Sequence, residues 1–281
     1  CSADSRRASR PLGIAKMTIV IPVRQLMMDG TLIDNAGMGD VHKNRAVNCE
    51  SGTPPLVIDR SLKGRVAVVG YGPSLHKTWG RLHEFDKIIT VSKAHDFLVE
   101  RGITPTMHLD LDARTHKVEF MTRPQSGTQY YLSTHIHPSY VTKLKAAGVP
   151  IQMFHVAIEK HKKLDPRYPP LAPRFDAGVQ AAELMFQSGY REQHWFGIEY
   201  GCEHGNTHAG MHWGVQHPPE ARCIVDVDGR HFESTKLFFH GLLLAEHFLC
   251  DRALVKCTIH GDGLLGHFLR ARNRVRPTLK V

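Results

Sequence analysis

Short apolar runs alternate with helix-like segments from residue 64 onward. The runs predict strands at 65–70, 87–92, 107–112, 129–133, 151–156, 194–198 and 256–260. The segments between them predict helices at about 75–84, 94–101, 114–122, 138–147 and 176–188. Repeated strand–helix units favour a parallel sheet, because each helical crossover covers one of its faces. We therefore predict an α/β fold: a Rossmann-like, doubly wound, mostly parallel sheet with an N-terminal extension.

The same pattern divides the chain into three parts. Residues 1–63 lack the alternation and form the extension, with a strand-like stretch at 16–23 and a loop-like stretch at 29–40. Residues 64–269 form the Rossmann-like domain. Residues 270–281 form a basic C-terminal tail.

The first predicted strand ends in the turn Gly70-Tyr-Gly-Pro-Ser74. Gly70 and Gly72 are expected to take positive φ, and the Ser74 side chain is expected to cap the next helix. N–H groups at a helix start suit an anion. The pattern thus predicts phosphate binding by Gly70, Gly72, Pro73 and Ser74, and a plain strand-to-helix turn is the alternative.

Polar side chains follow the other predicted strands as well. The carboxyl ends of parallel strands share one edge, where doubly wound sheets bind ligands. The side chains at that edge are Ser92, Asp110, Asp112, Arg114, His135, His137, His155 and Glu199. We expect this edge to form a ligand site.

Asp110 and Asp112 are two residues apart and therefore share one face of a strand. Two carboxylates on one face predict Mg2+ ligands that bridge to a nucleotide diphosphate, unless one of them caps the next helix instead. Arg114 is placed to bind a phosphate in bidentate fashion or to form a salt bridge with one of these acids. We predict Asp110 and Asp112 as metal ligands and catalytic residues.

The loop after the sixth strand, residues 204–217, is rich in histidine. His208 is predicted to act as a general base, because neutral imidazole accepts a proton near pH 7, or to donate a hydrogen bond to a phosphate. The spacing of Cys202, His204, His208 and His212 also suits zinc. These alternatives stay open at this point.

Composition narrows the class of protein. With 42% hydrophobic and 22% charged residues, the chain is typical of a soluble globular protein. No apolar run approaches the roughly 18 residues of a membrane helix. Residues 1–15 are polar and basic and the six cysteines are scattered, which favours a cytoplasmic location. The net charge of +9 favours anionic partners. The basic tail offers a contact to nucleic acid, although we expect a nucleotide and a small-molecule acceptor instead.

Several segments together resemble the 6-hydroxymethylpterin diphosphokinase-like family. This broad family has uncharacterised bacterial and phage members, and its core is similar to bacterial sialyltransferases and flagellin-modifying glycosyltransferases. The resemblance covers about residues 64–269. It rests on Gly70-Tyr-Gly-Pro-Ser-Leu75, Val91-Ser-Lys-Ala-His95, Gly102-Ile-Thr-Pro105, His108-Leu-Asp-Leu-Asp112, Phe175-Asp-Ala-Gly-Val-Gln180, Phe196-Gly-Ile-Glu199, Thr207-His-Ala209 and His260-Gly-Asp-Gly-Leu264.

The resemblance implies a nucleotide-dependent transferase. In the diphosphokinase version, which we take as the first hypothesis, a hydroxymethylpterin-like hydroxyl attacks the β-phosphorus of ATP with Mg2+ near Asp110 and Asp112. In the glycosyltransferase version, a CMP- or NDP-sugar occupies the same cleft and His208 deprotonates the acceptor. A non-catalytic nucleotide-binding or phage-associated structural protein is the third hypothesis. The resemblance also places Glu199 where relatives usually have Asp.

Overall fold

The computed structural model describes residues 18–19, 38–156, 164–172, 176–203, 206, 208–209, 222–271 and 278–280. Its strands are β1 Thr18–Ile19, β2 Arg65–Val69, β3 Ile88–Val91, β4 Met107–Asp110, β5 Gln129–Ser133, β6 Ile151–Val156, β7 Pro170–Leu171, β8 Glu192–Phe196, β9 Arg222–Val227, β10 Arg230–Thr235, β11 Lys256–His260 and β12 Thr278–Lys280. Its α-helices are α1 Met38–Cys49, α2 Leu75–Thr78, α3 Ala94–Val99, α4 Pro138–Ala146, α5 Ala177–Gln187, α6 Lys236–Asp251 and α7 Leu264–Ala271. In the described part of the chain, 3-10 helices span Trp79–Glu84 and Thr115–Phe120.

Eight parallel strands form the main sheet, in the order β11-β8-β2-β3-β4-β5-β6-β7. The chain moves outward from β2 to β7 and then returns to β8 on the other side of β2. The strand order therefore reverses between β2 and β8, and doubly wound sheets bind ligands beside such a switch point. The predicted α/β Rossmann-like fold is confirmed.

The central strands are buried along nearly their whole length because helices cover both faces. Val66 and Val68 point into the core shared with α5, whereas Ala67 and Val69 point into the core shared with α2 and α3. The α5 helix starts as predicted, with the Asp176 side chain accepting a hydrogen bond from the Val179 N–H at 2.9 Å. This continuous burial explains why residues 66–69 of β2 form an unbroken apolar run.

Several element predictions need correction. The strand predicted at 107–112 ends at Asp110, so Asp110 and Asp112 do not share a face of one strand. The sixth strand covers 192–196 rather than 194–198, because Gly197 turns the chain with a φ of +59°. The predicted helix at 114–122 is a short 3-10 helix. The β9–β10 hairpin and α6 were not predicted; the hairpin turns at Asp228 and Gly229, which both have positive φ.

A second, antiparallel sheet has the order β1-β12-β9-β10. It joins Thr18–Ile19 and Thr278–Lys280, from opposite ends of the chain, to the hairpin. The rest of the strand-like stretch 16–23 lies outside the described residues. In the loop-like stretch 29–40 the description begins at Met38, where α1 starts.

Residues 38–62 pack against the main sheet. In α1, the Asn44 side chain donates hydrogen bonds to the carbonyls of Ala113 and His135 at 3.1 and 3.2 Å. Further on, Pro55 forms a parallel bridge with Met153 of β6, and Leu56 is buried in the core. The predicted N-terminal extension thus supplies parts of the core and a helix at the carboxyl edge of the sheet.

A helix that crosses a bilayer must be long and apolar, and this criterion applies to the described helices. None of them combines the length and the apolar character needed to cross it.

Candidate functional site

The two sides of the switch point meet through backbone contacts between glycines. The N–H groups of Gly70 and Gly72 donate to the carbonyls of Phe196 and Gly197, both at 2.8 Å. A Cβ on Gly70 or Gly72 would lie 2.6 or 2.7 Å from the Gly197 oxygen, and a Cβ on Gly197 would lie 2.4 Å from the Gly70 oxygen. The expectation of positive φ at Gly70 and Gly72 is wrong, because the left-handed residue is Gly197. These glycines are needed for the close approach of two backbones.

The sequence predicted that the Ser74 side chain caps the following helix, but it makes no capping hydrogen bond. Its N–H instead donates to Oε1 of Glu199 at 2.5 Å. Glu199 is only 7% exposed, and burial raises the pKa of its carboxyl while the hydrogen bond from Ser74 opposes that rise. Gly263 closes the other side, since a Cβ there would lie 2.9 Å from Oε2. A carboxylate of this chain therefore takes the donor that was predicted to bind a phosphate.

A cavity of about 530 Å3, which we call the turn pocket, opens beside Glu199 at the carboxyl ends of β2, β8 and β11. Three carboxylates line it, from Glu199, Glu203 and Asp262, together with the cationic side chains of Lys77 and Arg230. Lys77 forms an ion pair with Glu203. Among the described lining residues, the turn pocket thus has more acids than bases.

His208 lies beside the glycine turn. Its ring centroid is 6.0 Å from that of Tyr71 and 6.2 Å from that of Phe238. The next residue, Ala209, is buried and donates its N–H to the Tyr71 carbonyl at 2.9 Å. These contacts place His208 and Ala209 beside the switch point. Tyr71, which links them, was not singled out from the sequence.

The zinc alternative falls largely outside the described residues, because it needs His204 and His212. Within the described part of the chain, no group of three or more potential ligands is arranged to hold a metal ion.

Asp110 and Asp112 differ in their surroundings. Asp110 is buried, and this burial raises the pKa of its carboxyl. Its Oδ1 accepts hydrogen bonds from the N–H groups of Leu111 and Asp112. Its Oδ2 has no hydrogen-bond partner among the described residues. Asp112 receives bidentate hydrogen bonds from Arg114 and an ion pair from Lys117 at 3.3 Å. Burial raises the pKa of Asp112, but the bonds and charges of Arg114 and Lys117 outweigh it and bring the pKa to about 2.

This donor set does not fit a metal ion held by both carboxylates. Arg114 makes the salt bridge that the sequence left open, and both oxygens of Asp112 are engaged. In the described part of the chain, one oxygen of the pair, Asp110 Oδ2, is left without a partner. The Mg2+ assignment stays a prediction without a matching pair of ligands.

Lys117 connects this group to Ser92. Its ammonium lies 3.4 Å from the Ser92 hydroxyl as well as 3.3 Å from Asp112. Ser92 has a φ of +50°, a conformation uncommon for a residue with a side chain. Lys117 was missed in the sequence because it lies in a predicted helix rather than directly after a strand.

A second cavity, of about 620 Å3, lies between α1 and the ends of β4 and β5; we call it the α1 cavity. Its lining residues are Asp40, Lys43, Asn44, Val47, Ala113, Arg114, Thr115, His116, His137 and Pro138. The predicted site residues thus fall into two groups on one sheet edge. Gly70, Gly72, Pro73, Ser74, Glu199 and His208 surround the switch point, whereas Ser92, Asp110, Asp112 and Arg114 lie toward the α1 cavity.

Comparison with known proteins gives a fold relationship. No protein-family model and no curated protein matches the chain. Among solved structures, the chain is similar to the MAf glycosyltransferase from Magnetospirillum magneticum AMB-1, with a TM-score of 0.59 and 14% sequence identity. The match covers 80% of this chain and 37% of that chain, so this chain spans little more than a third of that protein. At this identity the match shows a shared fold, and nothing found supports the diphosphokinase-like family.

Proposed function

We propose that this protein is a nucleotide-dependent transferase of the glycosyltransferase type. The observation that carries the proposal is the pair of cavities on one sheet edge, one of them beside the switch point, in a fold that a glycosyltransferase shares. Each cavity, at about 530 and 620 Å3, is within the usual size of a ligand site. Two cavities on the same edge of the sheet suit a donor and an acceptor.

The surroundings of Asp112 favour sugar transfer over the diphosphokinase hypothesis. Transfer from ATP depends on metal ions that neutralise the phosphates. Here Arg114 and Lys117 already neutralise Asp112. The proposal therefore uses no metal-dependent step.

In the proposed reaction, His208 is the general base. Its imidazole accepts the proton of an acceptor hydroxyl, whose oxygen forms a bond to the anomeric carbon of the donor sugar. The bond from that carbon to the phosphate oxygen breaks, and the nucleotide leaves with the electron pair. The contacts of His208 and Ala209 with Tyr71 hold the imidazole beside the switch point.

A thermal-shift panel tests the proposal. ATP, CMP, CDP, UDP and GDP are each added with and without Mg2+, since a ligand that binds the native state raises the Tm. We expect CMP, CDP or UDP to raise the Tm without Mg2+. Stabilisation by ATP and Mg2+ alone would favour the diphosphokinase, and no shift with any nucleotide would overturn both.

A further inference from the structure

The glycine turn is a poor place for an anionic ligand in this chain. The Ser74 N–H is already bound to the Glu199 carboxylate at 2.5 Å. A phosphate entering the turn pocket would also face the carboxylates of Glu203 and Asp262. Like charges at short range repel strongly in a partly buried pocket.

The α1 cavity has the opposite character. Lys43 and Arg114 line it, together with His116 and His137, and Asp40 is the single acid among its described lining residues. Lys117 lies behind Arg114, so two cations share the one carboxylate of Asp112. Burial lowers the pKa of His116, and the positive charges of Arg114 and Lys117 lower it further. The described lining of the α1 cavity therefore carries two cationic side chains, Lys43 and Arg114, and one acid, Asp40.

We propose that the α1 cavity, rather than the glycine turn, binds the phosphate of the nucleotide donor, with Lys43 and Arg114 as its cationic contacts. This inference rests on the proposed function, since it assigns a place to the donor of that reaction. The guanidinium bonds Asp112 through Nε and Nη2, which leaves Nη1 to donate. Lys43 is exposed on the wall formed by α1.

Side-chain hydrogen bonds hold α1 in the position where it forms one wall of the α1 cavity. Asn44, the neighbour of Lys43, bonds the carbonyls that follow β4 and β5. These bonds place the middle of α1 at the carboxyl edge where the ligand is expected. The helix thereby contributes a specificity-determining side chain from outside the segment that resembles a known family.

Isothermal titration of the full chain with inorganic pyrophosphate, and with the nucleotide that gives the largest thermal shift, tests the assignment. Lys43→Gln and Arg114→Gln should each weaken binding about tenfold, the usual loss for one charge-assisted hydrogen bond. Lys87→Gln, at an exposed residue at the amino end of β3, is the matched control and should change affinity less than about twofold. Lys77→Gln tests the rival site in the turn pocket, and the inference expects it to weaken nucleotide binding less than Lys43→Gln does. Because Lys43 is exposed, its variant keeps the test valid even if Arg114→Gln is unstable.

The outcomes separate this inference from the proposed function. Nucleotide binding that survives Lys43→Gln but weakens in Lys77→Gln overturns the inference and leaves the transferase proposal in place. Pyrophosphate binding that depends on Lys43, in a protein that binds no nucleotide, supports the anion site and overturns the transferase proposal. Absence of binding to both probes overturns both.

Discussion

At the scale of single residues, contact distance decides what the glycines do. Gly197 combines positive φ with a backbone contact, whereas Gly80 has open space around its Cβ position. We expect Gly197→Ala to lower the free energy of unfolding by about 2–4 kcal/mol, through strain and overpacking. Gly80→Ala is the control and should change it by less than about 1 kcal/mol. Urea unfolding measures both, and equal midpoints would contradict the packing account.

The Gly72 position tests the same contact from the other side. If the turn binds a phosphate, as the sequence suggests, Gly72→Val should remove nucleotide binding and leave the fold intact, because the side chain would fill the space of the phosphate. The structure predicts a destabilised protein, because a Cβ there would lie 2.7 Å from the Gly197 oxygen. A wild-type Tm in Gly72→Val would restore the earlier interpretation.

His208 tests the proposed chemistry. His208→Ala should lower turnover by about 10²–10⁴-fold with little change in donor affinity, because only proton transfer is lost. His208→Gln should be equally slow, since an amide is no base near neutral pH. His83→Ala, at an exposed histidine of the first 3-10 helix, is the control. Kinetics of nucleotide release measure all three, and a loss confined to donor affinity would make His208 a binding residue.

Glu199 predicts a pH dependence of stability. Burial raises the pKa of its carboxyl in the folded protein, so its contribution is full below the unfolded pKa of about 4.5 and is lost as the pH rises through the folded pKa. Glu199→Gln removes this loss. The Tm of the variant minus that of the wild type should therefore grow between pH 4.5 and 7, which differential scanning fluorimetry can follow. Parallel curves would contradict the prediction, and Glu50→Gln, at a side chain 84% exposed, is the control.

At the scale of elements, the side-chain amides of Asn44 and Asn48 hold α1 against the loops that follow β4 and β5. The Asn48 side chain donates to the carbonyls of Thr134 and Ile136 at 2.9 and 2.7 Å and is 1% exposed. Asn48→Ala leaves two carbonyls without this donor and should cost about 1–3 kcal/mol of unfolding free energy. Ala46→Ser, at an exposed position of the same helix, should cost less than about 1 kcal/mol. Equal urea midpoints for the two variants would show that α1 is not held by these bonds.

At the scale of the whole molecule, buried histidines predict acid sensitivity. Burial lowers the pKa of His135 to about 4 and that of His108 well below its usual value. Between about pH 6.5 and 4 these histidines are protonated in the unfolded chain and not in the folded one. The free energy of unfolding therefore decreases as the pH is lowered. The expected slope is roughly 1.4 kcal/mol per pH unit for each histidine. Urea unfolding from pH 7 to 5 measures this slope. It is done with Glu199→Gln, because Glu199 itself changes stability in the opposite direction as the pH falls. A flat profile would contradict the prediction.

The sequence by itself determined the parallel sheet and the edge on which the polar side chains gather. Apolar runs such as 66–69 can be recognised in the sequence because both faces of the strand are covered. The Asp176 cap can be recognised because its partner, the Val179 N–H, is three residues away. Both signals are local in the chain. Helix α6 was overlooked, although it lies in one continuous segment and carries buried apolar residues.

Only the tertiary structure decided which groups satisfy one another. Glu199 reaches the Ser74 N–H across 125 residues, and Asn44 reaches Ala113 across 69. Such partners depend on strand order, and a one-dimensional pattern does not state which strand returns beside β2. The same order makes Gly197, rather than Gly70 or Gly72, the left-handed glycine, because the two turns meet only once β8 lies beside β2.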